Sequence, residues 1–450
     1  MMSDDRVTLI VSDLHVGGGS ADPGDDHIYQ GGQLVRFLDQ QATQTPEGLL
    51  GRIELIFNGD FLEFAQVNTA AYSHPSDRHW CSERESLAKL DTIVGGHPEI
   101  FAALARFQDS GNLVTIAAGN HDVDLCWPAV QQRLREVAGA GLRFEVGATW
   151  VERHDGRLQI GHGHMDDPAN RFEHWDAPIR PLEGGGEPRL EMCPGTLFMV
   201  KFVNRLESRY PFADNLLPVT KLASVLLRDD KAGLASVAWT FVKFVSGTSP
   251  TVLQSGTTDD IGLRLLERAR DDAGFRAAVE AALVQAGLTQ SLARWRAGPI
   301  DADTLAAVML GLLGQVDEAA WQALFETRHD GVTLGANDDV TLSALVRGGF
   351  EDGKKKLRTA AQDRVDETGA RVVVMGHTHQ VDQFDLDGGG VYFNPGCWTR
   401  YLELKPGQKV TLDDLRDESI YPYALNYVRV APGADGALEA ELRCFERSPA

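Results

Sequence analysis

Basic residues are scarce in this chain: 43 Lys and Arg stand against 65 Asp and Glu, a formal net charge of −22. Affinity for nucleic-acid backbones comes largely from Lys and Arg displacing counterions, so this balance argues against nucleic acid as a partner unless a local basic stripe overcomes the overall field. The one obvious basic run is Lys354-Lys355-Lys356. Cysteine is sparse too. Cys81, Cys126, Cys193, Cys397 and Cys444 are odd in number, far apart and in no CxxC pair, which supports neither a zinc ribbon nor a disulfide framework and suits a reducing compartment. No long hydrophobic run is present. The most apolar stretch, Leu234 to Val245, contains Lys243 and is shorter than the roughly 20 residues a spanning helix needs, so no transmembrane segment is expected. The opening Met1-Met2-Ser3-Asp4-Asp5-Arg6 has no basic region ahead of an apolar stretch, and a cytoplasmic location is the expectation. Sequence repeats of fixed period and extended low-complexity tracts are missing as well.

What is present is ordinary for a globular protein, with 43% hydrophobic and 24% charged residues over 450 positions. That length suits two or three domains, or one large domain carrying an insertion. Five short apolar runs of strand type each hand over to a polar turn. Val7 to Val11 leads into Ser12-Asp13, Ile53 to Phe57 into Asn58-Gly59-Asp60, and Leu113 to Ala117 into Ala118-Gly119-Asn120-His121-Asp122. Arg157 to Ile160 leads into Gly161-His162-Gly163-His164, and Arg371 to Met375 into Gly376-His377-Thr378-His379. Helical spacing separates them at Gly32 to Gln41, Pro98 to Gln108 and Pro128 to Val137. This alternation predicts an α/β fold. In open sheets ligands gather outside the carboxyl ends of the strands, so five such ends predict one polar site built from five loops.

From about residue 177 to about 350 the strand and turn signals give way to amphipathic helical patterns, among them Ile261 to Arg270, Phe275 to Leu288 and Thr304 to Phe325. We therefore divide the chain into a discontinuous core, 1–176 and 351–450, and a mainly α-helical insertion, 177–350. A helix-like stretch from Glu351 to Asp366 leads back to the core, and Tyr423 to Val430 with Ala437 to Phe445 around Pro432-Gly433 read as a closing β-hairpin.

Asp13 and His15 put an oxygen and a nitrogen donor at one strand end, and Asp60, Asn120, His121 and Asp122 add carboxylates, an amide and an imidazole at the next two. His162 with His164, and His377 with His379, alternate around one residue, so either pair can turn two imidazoles to one side. Carboxylate, imidazole and amide without thiolate suit manganese, iron or zinc rather than calcium. Two divalent ions suit the set better than one, because a shared carboxylate can hold ions roughly 3.5–4 Å apart and so lower the pKa of a water between them.

Asp13-X-His15, Gly59-Asp60, Gly119-Asn120-His121-Asp122, His162 and Gly376-His377-Thr378-His379 together resemble the five ordered motifs of the calcineurin-like metallophosphoesterases. The resemblance covers both flanks of the insertion. It implies a four-layer αββα sandwich, a dinuclear centre, manganese above all, and hydrolysis of phosphomonoesters, phosphodiesters or pyrophosphates by water held between the ions. Carried over, it implies Asp13, His15, Asp60 and His379 on the first ion, and Asp60, Asn120, His162 and His377 on the second, with Asp60 shared. His121 then stands beside the metals as a catalytic residue that stabilises phosphate and protonates the leaving group, and Asp122 orients its imidazole. Either His162 or His164 fills the fourth motif, and the run through Arg171 resembles bacterial members in which the first of the two is the ligand. Asn394-Pro395-Gly396-Cys397-Trp398 resembles the segment that follows the last motif, with Cys397, read as a packed residue, in place of Ser.

Substrate choice is expected to lie in the insertion, because such scaffolds vary in loops rather than in the metal set. Met192 to Phe202 and Leu216 to Val245 are rich in Leu, Val and Phe, with Trp239, and are interrupted by Lys201, Lys221, Arg228, Lys231 and Lys243. A lid, a partner face or an interfacial helix fits that pattern, and ordinary helix packing is favoured over all three. The expected partner is a phosphorylated small-molecule or lipid-linked substrate, with peripheral membrane contact left open; Arg171, Arg180 and Arg400 are candidate phosphate partners on charge grounds alone, and a surface ion-pair role is favoured for each. Members that cleave UDP-2,3-diacylglucosamine resemble this plan, with a helical lid for acyl chains over the metal core, so a lipid pyrophosphatase of that type is the leading specific alternative, from which this chain departs in being much longer and in the size of its insertion. A noncatalytic metal-binding scaffold, and a nuclease with a basic groove, are the competing classes.

Overall fold

The computed structural model describes residues 6–21, 32–43, 53–69, 78–182, 184–207, 209–213, 215–217, 222, 225–226, 229–230, 270, 273–285, 289–298, 350–403, 410–433 and 436–448. The expected helices Ile261 to Arg270 (apart from its last residue) and Thr304 to Phe325, and most of the apolar stretch Leu216 to Val245, lie outside the described residues. The chain divides into two compact units, one of Met1–Leu197, Gly349–Arg400 and Pro422–Ala450, the other of Phe198–Gly348 and Tyr401–Tyr421.

The first unit is α/β, as the alternation of strand and helix signals predicts, and holds two main sheets. In one, β1 (Val7–Val11), β2 (Ile53–Asn58), β3 (Leu113–Ala117) and β4 (Arg143–Glu145) run parallel. The closing hairpin, β14 (Ala424–Pro432) and β15 (Leu438–Arg447), joins them antiparallel beside β1, for the order β15-β14-β1-β2-β3-β4. The other sheet contains β5 (Val151–Arg153), β6 (Leu158–Ile160), β10 (Val372–Val374), β11 (Asp382–Asp385) and β12 (Val391–Asn394) in the order β11-β12-β10-β6-β5, with β6, β10 and β12 parallel. A small antiparallel pair, β7 (Ile179–Arg180) with β8 (Arg189–Leu190), completes the unit.

Alternation along the strands places the layers. Ile10, Ile56, Val428 and Val430 of the first sheet share one buried cluster with Leu158, Ile160, Val372, Val374 and Phe393 of the second, so the sheets meet face to face. Val373 points the other way, into a cluster with Met375 and Tyr392 that takes Leu357, Ala361 and Val365 from the helix Phe350–Thr368. Those three positions are four residues apart, the spacing of one helix face. Helices α1 (Gly32–Thr43), α2 (Glu83–Gly96), α3 (Pro98–Asp109) and α4 (Pro128–Ala138) come from the segments between the strands of the first sheet, and α3 packs against β3, α1 and α4. Pro98 and Pro128 open α3 and α4, where a missing N–H costs nothing.

In the second unit, β9 (Leu216–Leu217) pairs in parallel with β13 (Leu402–Glu403). Helices Ala273–Gln285 and Thr289–Ala297 pack together, with Arg296 Nε donating to Glu280 Oε2 at 3.0 Å. No helix among the described residues is long and apolar enough to cross a membrane.

Candidate metal centre

The five polar strand ends converge. Asp13 follows β1, Asp60 follows β2 and Asn120 follows β3, while His162 and His377 follow β6 and β10 of the other sheet. Backbone hydrogen bonds knit the loops: the Leu14 and His15 N–H groups both donate to Asp60 O at 2.9 Å, and the His377 N–H donates to the Asp13 carboxylate at 3.0–3.1 Å. Asp13, His15, Asp60, His377 and His379 all take positive φ, between 49° and 67°. Non-glycine residues seldom adopt that conformation, which costs about 1–3 kcal/mol where it occurs. Five of the seven described cases fall on candidate ligands.

Among the described residues, three groups of side chains could each hold a metal ion: Asp13, His15 and His379; His15, Asp60 and His121; and Asp60, His162 and His377. In the first, His379 Nε2 lies 3.2 Å from Asp13 Oδ1 and 3.1 Å from His15 Nε2. Two donors about 2.1 Å from one ion are roughly 3 Å apart when they meet it near a right angle, so these separations suit shared coordination. Asp60 belongs to two groups. Its Oδ2 is 3.1 Å from His162 Nε2 and 4.0 Å from His15 Nε2, with the carboxylate fully buried. His162 turns to Asp60, whereas His164 turns to the rings of Trp175 and Phe172, with centroids at 4.3 and 5.9 Å.

Asn120 Oδ1 is buried with no hydrogen-bond partner among the described residues, and so are both ring nitrogens of His164, while His162 Nε2 has the Asp60 carboxylate at 3.1 Å. Buried polar atoms are rarely left so, and an unpartnered amide oxygen beside a carboxylate and imidazoles is what a cation would satisfy. Electrostatics agree. Burial opposes charge on His162, yet Asp60 and Asp13 raise it to about 10, and burial of Asp60 is outweighed by His162 and His121, which hold its carboxyl well below the usual range. The carboxylates thus gather positive charge at this point. Burial, aided by the neighbouring imidazoles of His121 and His379, pushes His15 down against the pull of Glu63. A neutral His15 whose Nδ1–H donates to Glu63 Oε2 at 2.7 Å presents a lone pair on Nε2.

Glu63 has a role that sequence reasoning gave to Asp122. His121 Nδ1 donates to Glu63, 2.8 Å from Oε2 and 2.9 Å from Oε1, so this carboxylate orients the imidazole. Asp122 instead accepts backbone N–H groups from Gly119 at 2.6 Å, Phe61 at 2.8 Å and Asp60 at 3.3 Å, binding the second loop to the third. Burial and the adjacent Asp60 charge push Asp122 up to about 7. The available signal for Glu63 was its position three residues after Asp60, at the same strand end. Asn394 likewise braces the last loop, donating to Gly376 O at 2.8 Å and Thr378 Oγ1 at 3.1 Å. Cys397 is buried there, its thiol pushed up to about 12 by burial. Of the candidate phosphate partners, Arg171 donates to Met165 O at 2.8 Å, Arg180 lies in β7, and Arg400 stacks over Tyr423. Neither a protein-family model nor a curated protein matches the chain.

Proposed function

We propose that this protein is a metal-dependent phosphoesterase of the calcineurin-like metallophosphoesterase kind, hydrolysing a phosphoester or pyrophosphate bond. The observation that carries the reading is Asp60, a fully buried carboxylate shared between the group His15, Asp60 and His121 and the group Asp60, His162 and His377, with His15 also in the group of Asp13 and His379. Two face-to-face sheets flanked by helices support the four-layer αββα reading of the fold. Asp13, His15, Asp60 and His379 would hold one divalent ion, and Asp60, Asn120, His162 and His377 the other, with manganese preferred over iron or zinc. Such a pair supplies Lewis-acid charge for the phosphoryl oxygens and lowers the pKa of coordinated water.

The chain's own residues do the rest. Glu63 accepts from His121 Nδ1, which favours a ring that also carries a proton on Nε2, the form able to protonate a departing oxygen. Water forms the new P–O bond and releases a proton to solvent, the P–O bond to the leaving group breaks, and His121 delivers its Nε2 proton to that oxygen and regains one from solvent. Asp122 keeps the Asp60 and Gly119 loops at fixed spacing through its backbone contacts.

The test is hydrolysis of p-nitrophenyl phosphate and bis-p-nitrophenyl phosphate by metal-stripped protein, with manganese added back, beside Asp60→Asn. Activity that returns with manganese and is lost in the variant supports the reading. Wild-type turnover in Asp60→Asn overturns it.

A further inference from the structure

Two of the second ion's ligands come from different sheets, Asn120 after β3 and His377 after β10, and one short polar segment ties them together. Asp167 Oδ2 accepts from His377 Nε2 at 3.1 Å and from Asn170 Nδ2 at 2.7 Å. Asn170 Oδ1 in turn accepts from Asn120 Nδ2 at 3.3 Å. The result is a continuous chain, His377–Asp167–Asn170–Asn120. The segment is itself held in shape: the Asn170 N–H donates to Asp167 O at 3.0 Å, and the Gly195 N–H donates to Ala169 O at 2.7 Å. A methyl group on Gly195 would fall 2.0 Å from Asn170 Oδ1, so the backbone there is matched to this side chain.

Each hydrogen bond decides which atom of a ligand faces the metal. A neutral imidazole carries one proton, and donating it from Nε2 to a carboxylate leaves the lone pair on Nδ1. A primary amide that donates from its nitrogen leaves its oxygen as the ligating atom, and Asn120 Oδ1 is the buried atom without a partner among the described residues. We propose that Asp167 and Asn170 are positioning residues for the second ion, Asp167 fixing the tautomer of His377 and Asn170 fixing the rotamer of the Asn120 amide. The proposal rests on the metallophosphoesterase reading above. It also gives the sequence Asp166-Asp167-Pro168-Ala169-Asn170 a role distinct from substrate contact.

The experiment is manganese titration by calorimetry on wild type, Asp167→Ala, Asn170→Ser and Glu63→Gln, with circular dichroism as the check on folding and manganese electron paramagnetic resonance to read spin coupling between paired ions. Wild type takes two equivalents. Asp167→Ala and Asn170→Ser keep the first, weaken the second 10- to 100-fold, the range found when such outer partners are removed, and lose the coupled signal at limiting metal. Glu63→Gln weakens the first equivalent instead, a pattern that general destabilisation would not produce. Should Asp167→Ala fail to fold, Asn170→Ser, which leaves Asp167 in place, is the deciding variant. Two equivalents at wild-type affinity in the folded variants overturn the inference alone. No manganese bound by wild type overturns both the inference and the reading beneath it.

Discussion

Glu63→Gln changes few atoms and tests whether one buried carboxylate sets two imidazoles. Glu63 is fully buried; its Oε2 lies 2.7 Å from His15 Nδ1 and 2.8 Å from His121 Nδ1, and its Oε1 accepts from the Gln66 N–H at 3.0 Å. A carboxylate only accepts, whereas an amide must place two N–H groups somewhere. With the amide oxygen in the Oε2 place, the nitrogen faces the Gln66 N–H. With the oxygen in the Oε1 place, the nitrogen faces His15 Nδ1–H, and His15 must move its proton to Nε2 and lose the lone pair that points at Asp13 and His379. The first arrangement leaves buried donor against donor and the second forces the His15 tautomer to change, a penalty of about 1–3 kcal/mol. We expect a stability loss of that size in urea, and a 10- to 100-fold loss of manganese affinity, equivalent to about 1.4–2.7 kcal/mol. The variant also removes the negative charge that favours doubly protonated His121. The rate should therefore fall further for an alkyl phosphate, whose leaving oxygen needs a proton, than for p-nitrophenyl phosphate, whose leaving group departs as an anion. Wild-type manganese affinity together with equal losses for the two substrates would refute the reasoning.

Other perturbations follow from the same contacts. Gly119→Ala would put a methyl group 2.2 Å from Asp60 Oδ1 and 2.8 Å from His162 Nε2, so we expect manganese binding to be lost while far-ultraviolet circular dichroism stays near wild type; unchanged calorimetric binding would contradict the close approach. Lys89 is buried and donates to Phe64 O at 2.7 Å and Val67 O at 2.5 Å, holding the loop that carries Glu63. Lys89→Met takes this donor from both carbonyls and should cost about 2–5 kcal/mol in chemical denaturation, with a loss below 1 kcal/mol counting against the role. Asp124 accepts from Trp80 Nε1 and Ser86 Oγ, and burial pushes it up from 3.8 to about 6 against those hydrogen bonds and Lys89. Its folded form holds a proton that the unfolded chain has released, so this group's contribution to stability falls as pH rises from about 4 to about 6, by up to about 3 kcal/mol. Asp124→Asn should remove that slope in urea melts between pH 4 and 7, and an identical slope in the variant would sink the assignment.

Much of the first unit was legible because its elements obey period and punctuation. The strands end at the residues where carboxylates and imidazoles begin, and α3 and α4 start at Pro98 and Pro128 as their spacing predicts. Helix α2 went unread, although Ser82 and Glu85 mark its start and the Ser82 N–H donates to the Glu85 side chain at 2.9 Å. Strand β11 is Asp-Gln-Phe-Asp, polar because it lies at the edge of its sheet with three of its four residues exposed, and gives no apolar run to find. Division of the strand ends between two sheets is not written in their local pattern either, and only the family resemblance implied it. Residues 160 and 374 differ from 10 and 56 in sheet partner, not in local pattern, and only the shared cluster of Ile10, Ile56, Ile160 and Val374 brings them together.

The misassigned partner of His121 has a similar origin, and it shows what such a site asks of a sequence. Asp122 is adjacent in the chain, but adjacency at a turn sends neighbouring side chains apart: His121 faces Glu63, while Asp122 turns back to the amides of Gly119 and Phe61. Loops that must aim several side chains at one point do so with backbone conformations that are costly in isolation, as at Asp13, Asp60 and His377. Such conformations persist only when neighbours over-determine them, and here each loop is held by another: Asp13 N–H on Gly59 O, His377 N–H on the Asp13 carboxylate, Asp60 N–H on Asp122. A motif names the residues at each strand end, and these contacts between ends fix where they point. Asp122, Glu63, Asp167 and Asn170 therefore matter as much to the geometry as the seven candidate ligands they surround.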